Sequence, residues 1–306
     1  MTIKKAVARQ SADHASDKSK KVGLARALSK LGFCSRTQAK ALIREGQVRL
    51  TGTTPRNPET PVRLGVDRIE IAGRPLCAAE KVYVMMNKPR GIVTSAADEK
   101  GRDTVYSLLP KGRGWLAPVG RLDKASEGLL LLTNDSEWAA RVTDPATHLE
   151  KSYHIQVAAK ADEHLIEALE RGVETQKSEV LHAKRVSMLR AGEKNSWLVI
   201  TLDEGKNRQI RRMLEVHGVE VLRLVRVAIG PLQLGDLPKG ACRALRPDEK
   251  VALDRAVGIQ AQVRIVIGGS DLLELIGHSA DIEKGHGHDE GGYKKKNRRW
   301  SQGNNF

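Results

Sequence analysis

Residues 120–135 read Gly120-Arg121-Leu122-Asp123-Lys124-Ala125-Ser126-Glu127-Gly128-Leu129-Leu130-Leu131-Leu132-Thr133-Asn134-Asp135. A loop bounded by two glycines runs into a short apolar stretch, and Leu129–Thr133 reads as a buried strand. Asp135 then stands where an N-cap opens a helix over Ser136–Thr143, which Pro145 closes off. Asp123 is flanked by the cations Arg121 and Lys124, just ahead of the strand. At the rim of a sheet, rigid backbone can aim such a carboxylate at a substrate. The spacing fits equally an Asp123 that only pairs with Arg121 or Lys124 to pin a turn.

Working outward, Val82, Val84 and Met86 alternate as a strand before the turn signals Pro89 and Gly91. Ser152–Val157 alternates again, Asp162 caps a helix through Glu170 with Gly172 as its stop, and Trp197–Leu202 is a further strand. Strands joined by both turns and helices predict an α+β fold over residues 81–254, with a mixed, largely antiparallel sheet flanked by helices. A smaller helical and β unit covers residues 22–80. Leu24, Ala25, Leu28 and Leu31 repeat at helical spacing up to Gly32; Ser35 and Gln38 form a capping box for a second helix ending at Gly46. Short strands follow at Val48–Leu50 and Ile69–Ile71, and residues 73–80 read as a linker.

The chain has 306 residues, with 52 Lys+Arg against 37 Asp+Glu and a formal charge of +15. That excess favours a polyanionic partner through phosphate neutralisation and counterion release. Aromatic residues make up 3% of the chain, too few for a broad platform of stacked rings. Cys34, Cys77 and Cys242 are far apart and form no C-x-x-C pair, which excludes a cysteine-only zinc site and fits a reducing cytosol. No apolar stretch spans a membrane, and no secretory h-region follows the charged N-terminus, so a cytoplasmic protein is expected. Residues 1–21 read as a basic disordered tail, and 255–306 as an extension that is mostly disordered and basic at its end. His278, His286 and His288 lie near Asp281 and Glu283, but nothing frames them as ligands and no metal site is expected.

Two basic patterns stand out. On the second helix Arg36, Lys40 and Arg44 recur at i, i+4, i+8 without an acidic residue between them. Neighbouring like charges repel unless an anion lies across them, so this stripe is expected to touch phosphates. In Glu204–Met213, Arg208, Arg211 and Arg212 share one helical face with Glu215, and Ile210, Met213 and Leu214 share the other. Cations at a helix start oppose the macrodipole, and an RNA backbone or a carboxylate would relieve them.

Three blocks occur in order: Asn87-Lys88-Pro89-Arg90-Gly91 followed by Ser95, the GRLD of 120–123 running into GLLLLTND, and the EGKNRQIRRM of 204–213. With Lys151-Ser152-Tyr153 they resemble the RsuA-like family of ribosomal RNA pseudouridine synthases. Residues 22–76 resemble the small alpha-L RNA-binding domain that commonly precedes the catalytic domain in that family. The resemblance implies that Asp123 is the catalytic aspartate, that Tyr153 packs on the target uracil, and that Arg211 pairs with the aspartate. Arg121 is expected to help place the flipped nucleotide, and Lys88 and Pro89 to shape the nearby loop. Ala125 departs from the acidic residue of many relatives, which alters the loop surface more than the carboxylate. The reaction breaks the N-glycosidic bond, turns the base and rejoins it through carbon. Such an isomerisation implies no cofactor or metal, and a base taken out of its stack explains a ring and cations around one carboxylate. The implied partner is ribosomal RNA or a pre-ribosomal particle, bound by a monomer. Asn207–Arg212 looks more like branches acting on the large subunit, since the small-subunit branch tends to carry lysine at the position of Arg211.

Two rivals remain from the residues alone. A hydrolytic glycosidase wants a second carboxylate, for which Glu127 is the near candidate. A non-catalytic RNA-binding or ribosome-assembly factor would use the same charge and the same helical unit, but has no need of Asp123, Tyr153 and Arg211 together.

Overall fold

A computed structural model describes residues 21–95, 101–110, 114–176 and 178–259. Residues 1–20 and 260–306, which make up nearly all of both expected tails and include the three histidines, lie outside these described residues.

The N-terminal part runs β1 (Val22–Gly23), α1 (Leu24–Lys30), α2 (Arg36–Arg44), β2 (Val48–Leu50), β3 (Pro61–Val62), β4 (Ile69–Ile71) and β5 (Arg74–Pro75). The Ser35 Oγ accepts the Gln38 N–H at 3.1 Å, and the Gln38 side chain accepts the Ser35 N–H at 3.0 Å, the reciprocal cap that the sequence predicts. Leu24, Leu28, Ala39 and Ile43 of the two helices bury against Val48 and Ile69 of the strands. The stretch expected as a linker begins as structure instead. Ala72 and Gly73 both take positive φ, the two-residue turn that suits a hairpin, so β5 pairs antiparallel with β4.

The larger part continues with β6 (Tyr83–Lys88), β7 (Ala117–Val119), β8 (Glu127–Thr133), α3 (Ser136–Thr143), β9 (Lys151–Val157), α4 (Glu163–Arg171), β10 (Val173–Glu174), β11 (Val180–Leu181), β12 (Arg185–Ala191), β13 (Ser196–Leu202), α5 (Gln209–Val216), β14 (Val221–Ile229), β15 (Leu232–Gln233), β16 (Cys242–Ala244) and α6 (Pro247–Ala256). One sheet runs in the order β12-β13-β9-β14-β8-β6-β16, with β7 beside β8 and β15 beside β14. The fold is α+β and the sheet mixed and largely antiparallel; the pairing of β14 with β8 is parallel. Strand β8 is covered on both faces. Leu129 and Leu131 pack with Trp138 and Val142 of α3, while on the other face Leu130 and Leu132, beside Val84 and Met86 of the neighbouring β6, cluster with Val105, Leu116 and Leu122. Packing continues beyond residue 254: α6 is tied to α3 through the Trp138 Nε1–H donated to Asp254 Oδ1 at 2.8 Å, and Val257 is buried.

The parallel seam is short. Only Val225↔Glu127 and Arg226↔Gly128 pair there, after which the same edge of β8 is taken by β7, from Leu131 to Thr133. At Gly128 (φ 101°) a Cβ would lie 2.2 Å from the Arg226 carbonyl oxygen and 2.8 Å from its nitrogen. No L side chain fits that approach, and none takes that φ without strain. We predict that Gly128→Ala destabilises the fold by about 3 kcal/mol or more, read as a fall in the urea midpoint. A midpoint unchanged from wild type would show that the seam can open at little cost.

Candidate active site

The loop between β7 and β8 carries Asp123, and the segment after β6 holds it by its carbonyls. Lys88 has no exposed surface. Its ammonium donates to the carbonyls of Pro89 at 3.2 Å, Asp123 at 3.1 Å and Ser126 at 2.8 Å, so all three N–H groups are used. Burial pushes this amine down to about 8, while the Asp123 and Glu127 charges pull the other way. Thr94 Oγ1 donates to the Leu122 carbonyl at 2.8 Å, and the Gly91 N–H to that of Lys124 at 2.8 Å. Four carbonyls of one loop are thus engaged, and the backbone of Asp123 is fixed without its side chain. Among the described residues the half-buried Asp123 carboxylate makes no hydrogen bond or ion pair. It does not pin the turn by pairing with Arg121 or Lys124.

This carboxylate faces a cavity of about 560 Å³, also lined by Arg121, Tyr153, Arg211, Lys151 and Arg226. That is room for a single nucleotide. Two strands and a helix supply the polar side chains of the wall: Tyr153 stands on β9, Arg226 on β14, and Arg211 on α5. Arg211 reaches the aspartate loop, donating to the Ala125 carbonyl at 3.3 Å and to that of Val221 at 3.4 Å. Burial and the charges of Arg208 and Arg90 push its guanidinium down from its ordinary range, and the Asp123 charge opposes this. The direct ion pair implied for Arg211 and Asp123 is absent: the guanidinium is spent on two carbonyls and meets the carboxylate only through its field.

The remaining basic residues divide. Arg36, Lys40 and Arg44 are exposed on α2, and no carboxylate of the described residues pairs with them. Arg208 lines the cavity, but in a left-handed conformation (φ 48°) at the cap of α5, one residue before the helix face expected for it. Arg212 does not line the cavity. Its Nη1 donates to Glu179 at 2.7 Å, because the helix turns that position towards the β10–β11 connection and away from the cavity. Gln209, which the sequence did not single out, is buried and clamps the 204–208 loop by donating to the His182 carbonyl at 3.0 Å and to Glu204 at 2.6 Å. Lys151 appeared only within a motif and Arg226 not at all. The available signal was a guanidinium in the middle of the apolar run Leu224–Ala228.

Glu127 cannot serve as a second catalytic carboxylate. It is 3% exposed and holds Arg223 through two bonds of 2.9 and 3.0 Å and Lys239 at 2.7 Å. The bond to Arg223, with Lys239 beside it, holds its carboxyl down to about 2. Glu204, the other acidic residue lining the cavity, is engaged by Gln209 and by Lys206 at 3.2 Å. Asp123 is left as the unengaged carboxylate of the cavity.

Residues 82–216 match the family of RNA pseudouridylate synthases, and residues 22–67 match the S4 domain. A protein of Aquifex aeolicus named as an uncharacterized RNA pseudouridine synthase is 36% identical over 234 residues, covering 76% of this chain and 94% of its own. The chain is an RNA pseudouridine synthase of the RsuA-like family. A ribosomal large subunit pseudouridine synthase B of Bacillus subtilis is 36% identical over 227 residues, covering 74% of this chain and 93% of its own. The crystal structure of a pseudouridylate synthase superposes with a TM-score of 0.55 at 29% identity, covering 76% of this chain and 99% of that one.

In this synthase Glu127 is a structural group, and its pH signature follows. A carboxyl held at about 2 in the folded protein against an ordinary 4.5 stabilises the fold above pH 4.5 by up to about 3 kcal/mol, and this is lost as pH falls towards 2. Glu127→Gln is expected to melt lower than wild type at pH 7, with the gap closing between pH 4.5 and 2. A gap independent of pH would show that packing, not the charge, is what the glutamate contributes.

Proposed function

We propose that this synthase isomerises one uridine of ribosomal RNA to pseudouridine, and that its target lies in the large-subunit RNA. The observation that carries the reading is Asp123: a carboxylate fixed by its backbone, left unpaired, in a nucleotide-sized cavity with Tyr153 and Arg211. The target uridine leaves its stack, Tyr153 packs on the uracil, and Arg121 and Arg208 at the exposed rim hold the flanking phosphates. Asp123 then attacks the sugar or takes a ribose proton, so that the glycosidic bond breaks. Arg211 presents its positive charge to the cavity beside the carboxylate and keeps the loop in place by its bonds to Ala125 and Val221. No electrons are exchanged with an outside group, so the chemistry asks for no cofactor. Residues 22–80 form the RNA-docking domain and 81–254 the core of the catalytic one. The protein works as a monomer in the cytoplasm on ribosomal RNA or a pre-ribosomal particle. The large-subunit target is supported by the names of relatives in Bacillus subtilis and Yersinia pestis.

Tritium release from ribosomal RNA labelled at uracil C5 tests the reaction. Wild type is expected to release it, and Asp123→Asn to bind RNA as tightly while losing turnover. Tight binding with no release by wild type would leave a binding or assembly factor, and free uracil among the products a glycosidase. Mapping pseudouridines in both ribosomal RNAs of a deletion strain tests the target: a site lost from the small subunit would move it there.

The exposed stripe on α2 carries a separate expectation. Changing Arg36, Lys40 and Arg44 together to glutamine is expected to weaken RNA binding and to lower the slope of log affinity against log salt by about 2–3, with the single-turnover rate at saturating enzyme unchanged. An unchanged slope would mean that this face does not meet phosphates.

A further inference from the structure

Two cations of the cavity belong neither to the aspartate loop nor to its rim. Lys151 and Tyr153 are two residues apart on β9 and face the same side of the sheet. Arg226 on β14 is the register partner of Tyr153 and of Gly128, so it stands between the expected base-stacking ring and the root of the Asp123 loop. All three side chains line the cavity that holds Asp123.

Neither cation forms an ion pair among the described residues. Arg226 is 6% exposed; its Nε donates to the Leu129 carbonyl at 2.7 Å, while its Nη2 is buried without an acceptor. Leaving such an N–H desolvated and unbonded is destabilising. The half-buried Lys151 ammonium makes no hydrogen bond or ion pair among the described residues. Burial and the neighbouring Arg226 charge both push it down, and Asp203 offsets this only in part. Two like charges are therefore held together in a desolvated wall at a cost, which an anion in the cavity would repay.

The reaction itself creates that anion. Whichever way Asp123 acts, the bond from the ribose C1′ to N1 breaks with its electron pair on the uracil, whose charge spreads over N1, O2 and O4. On the reading proposed above, we propose that Lys151 and Arg226 stabilise this detached uracil anion and hold it while the ring turns. The anion's electron pair then forms the C1′–C5 bond as the Asp123 oxygen leaves C1′, or as the proton it took returns to the ribose; the C5 hydrogen leaves as a proton and N1 gains one, so the sum remains an isomerisation. The position favours the base over a phosphate: the two cations flank Tyr153 on the sheet surface, whereas Arg121 and Arg208 stand exposed at the rim. Donors aimed at charge that develops only during reaction act on the rate and leave ground-state binding alone.

The test uses the full chain and C5-tritiated ribosomal RNA. Lys151→Met and Arg226→Gln are expected to bind RNA within about twofold of wild type, to melt as folded proteins, and to lose about a hundredfold or more in single-turnover rate at saturating enzyme. Lys151→Arg, which keeps the charge, should recover most of the rate. A full rate with weaker RNA binding and a salt slope lower by about 1 would make these phosphate contacts and overturn the proposal. A wild-type rate in Lys151→Met would overturn it as well, and this variant decides alone if Arg226→Gln does not fold, since Lys151 has no protein bond to lose. If wild type releases no tritium, it is the pseudouridine reading that fails, and this one falls with it.

Discussion

At the middle of the sheet two backbones approach more closely than any side chain permits. Gly128 meets the main chain of Arg226 where β8 and β14 run parallel, and the rest of the site is arranged around that contact. Because the seam lasts for only two residue pairs, the β7 side of the sheet and the β9 side diverge from it, and the loop of Asp123 emerges at the point of divergence. The aspartate arrives on the rigid end of a strand buried on both faces. Lys88 completes the arrangement from below: a buried ammonium with three carbonyl partners is a strong local constraint, since losing any partner leaves a desolvated charge poorly satisfied. Backbone thereby fixes the carboxylate and leaves both of its oxygens for chemistry.

The positive charge of the chain separates by what it meets. Arg223 and Lys239 close on Glu127, Arg243 on Glu249, Lys184 and Arg185 on Glu150, and Arg212 on Glu179. These cations are spent within the protein. Arg36, Lys40, Arg44, Arg121, Arg208 and Lys151 meet no carboxylate among the described residues. The second set forms three places of different character: an exposed helix face, an exposed cavity rim and a half-buried cavity wall. Exposed cations act through screened, additive phosphate contacts, whereas a desolvated one acts strongly on a charge close by. On the readings proposed above, the same residue types serve docking in one place and bond breaking in another.

Much was legible in the sequence because much was local. The Ser35–Gln38 capping box, the Asp135 and Asp162 caps, the turn glycines and the apolar run of β8 each declare themselves within a few residues, and each is where the sequence puts it. Asp123 and Tyr153 were legible through motifs that survive as contiguous strings. Strands β12 and β14 were not read, because arginines break their alternation: Arg223 and Arg226 look like surface residues until the sheet closes over them. Arg212 was assigned outward for the complementary reason, since a helical wheel gives a face but not what lies opposite it.

The sequence by itself determined the local elements and the basic surplus and singled out Asp123, all of which depend on neighbours along the chain. Only the tertiary structure decided which cations are free, which carboxylate is unengaged, and that Lys151 and Arg226 stand together beside Tyr153. Those properties belong to pairs such as Glu127 with Arg223 and Gly128 with Arg226, separated by about a hundred residues and joined by strand register, to which no local pattern of charge or hydrophobicity responds.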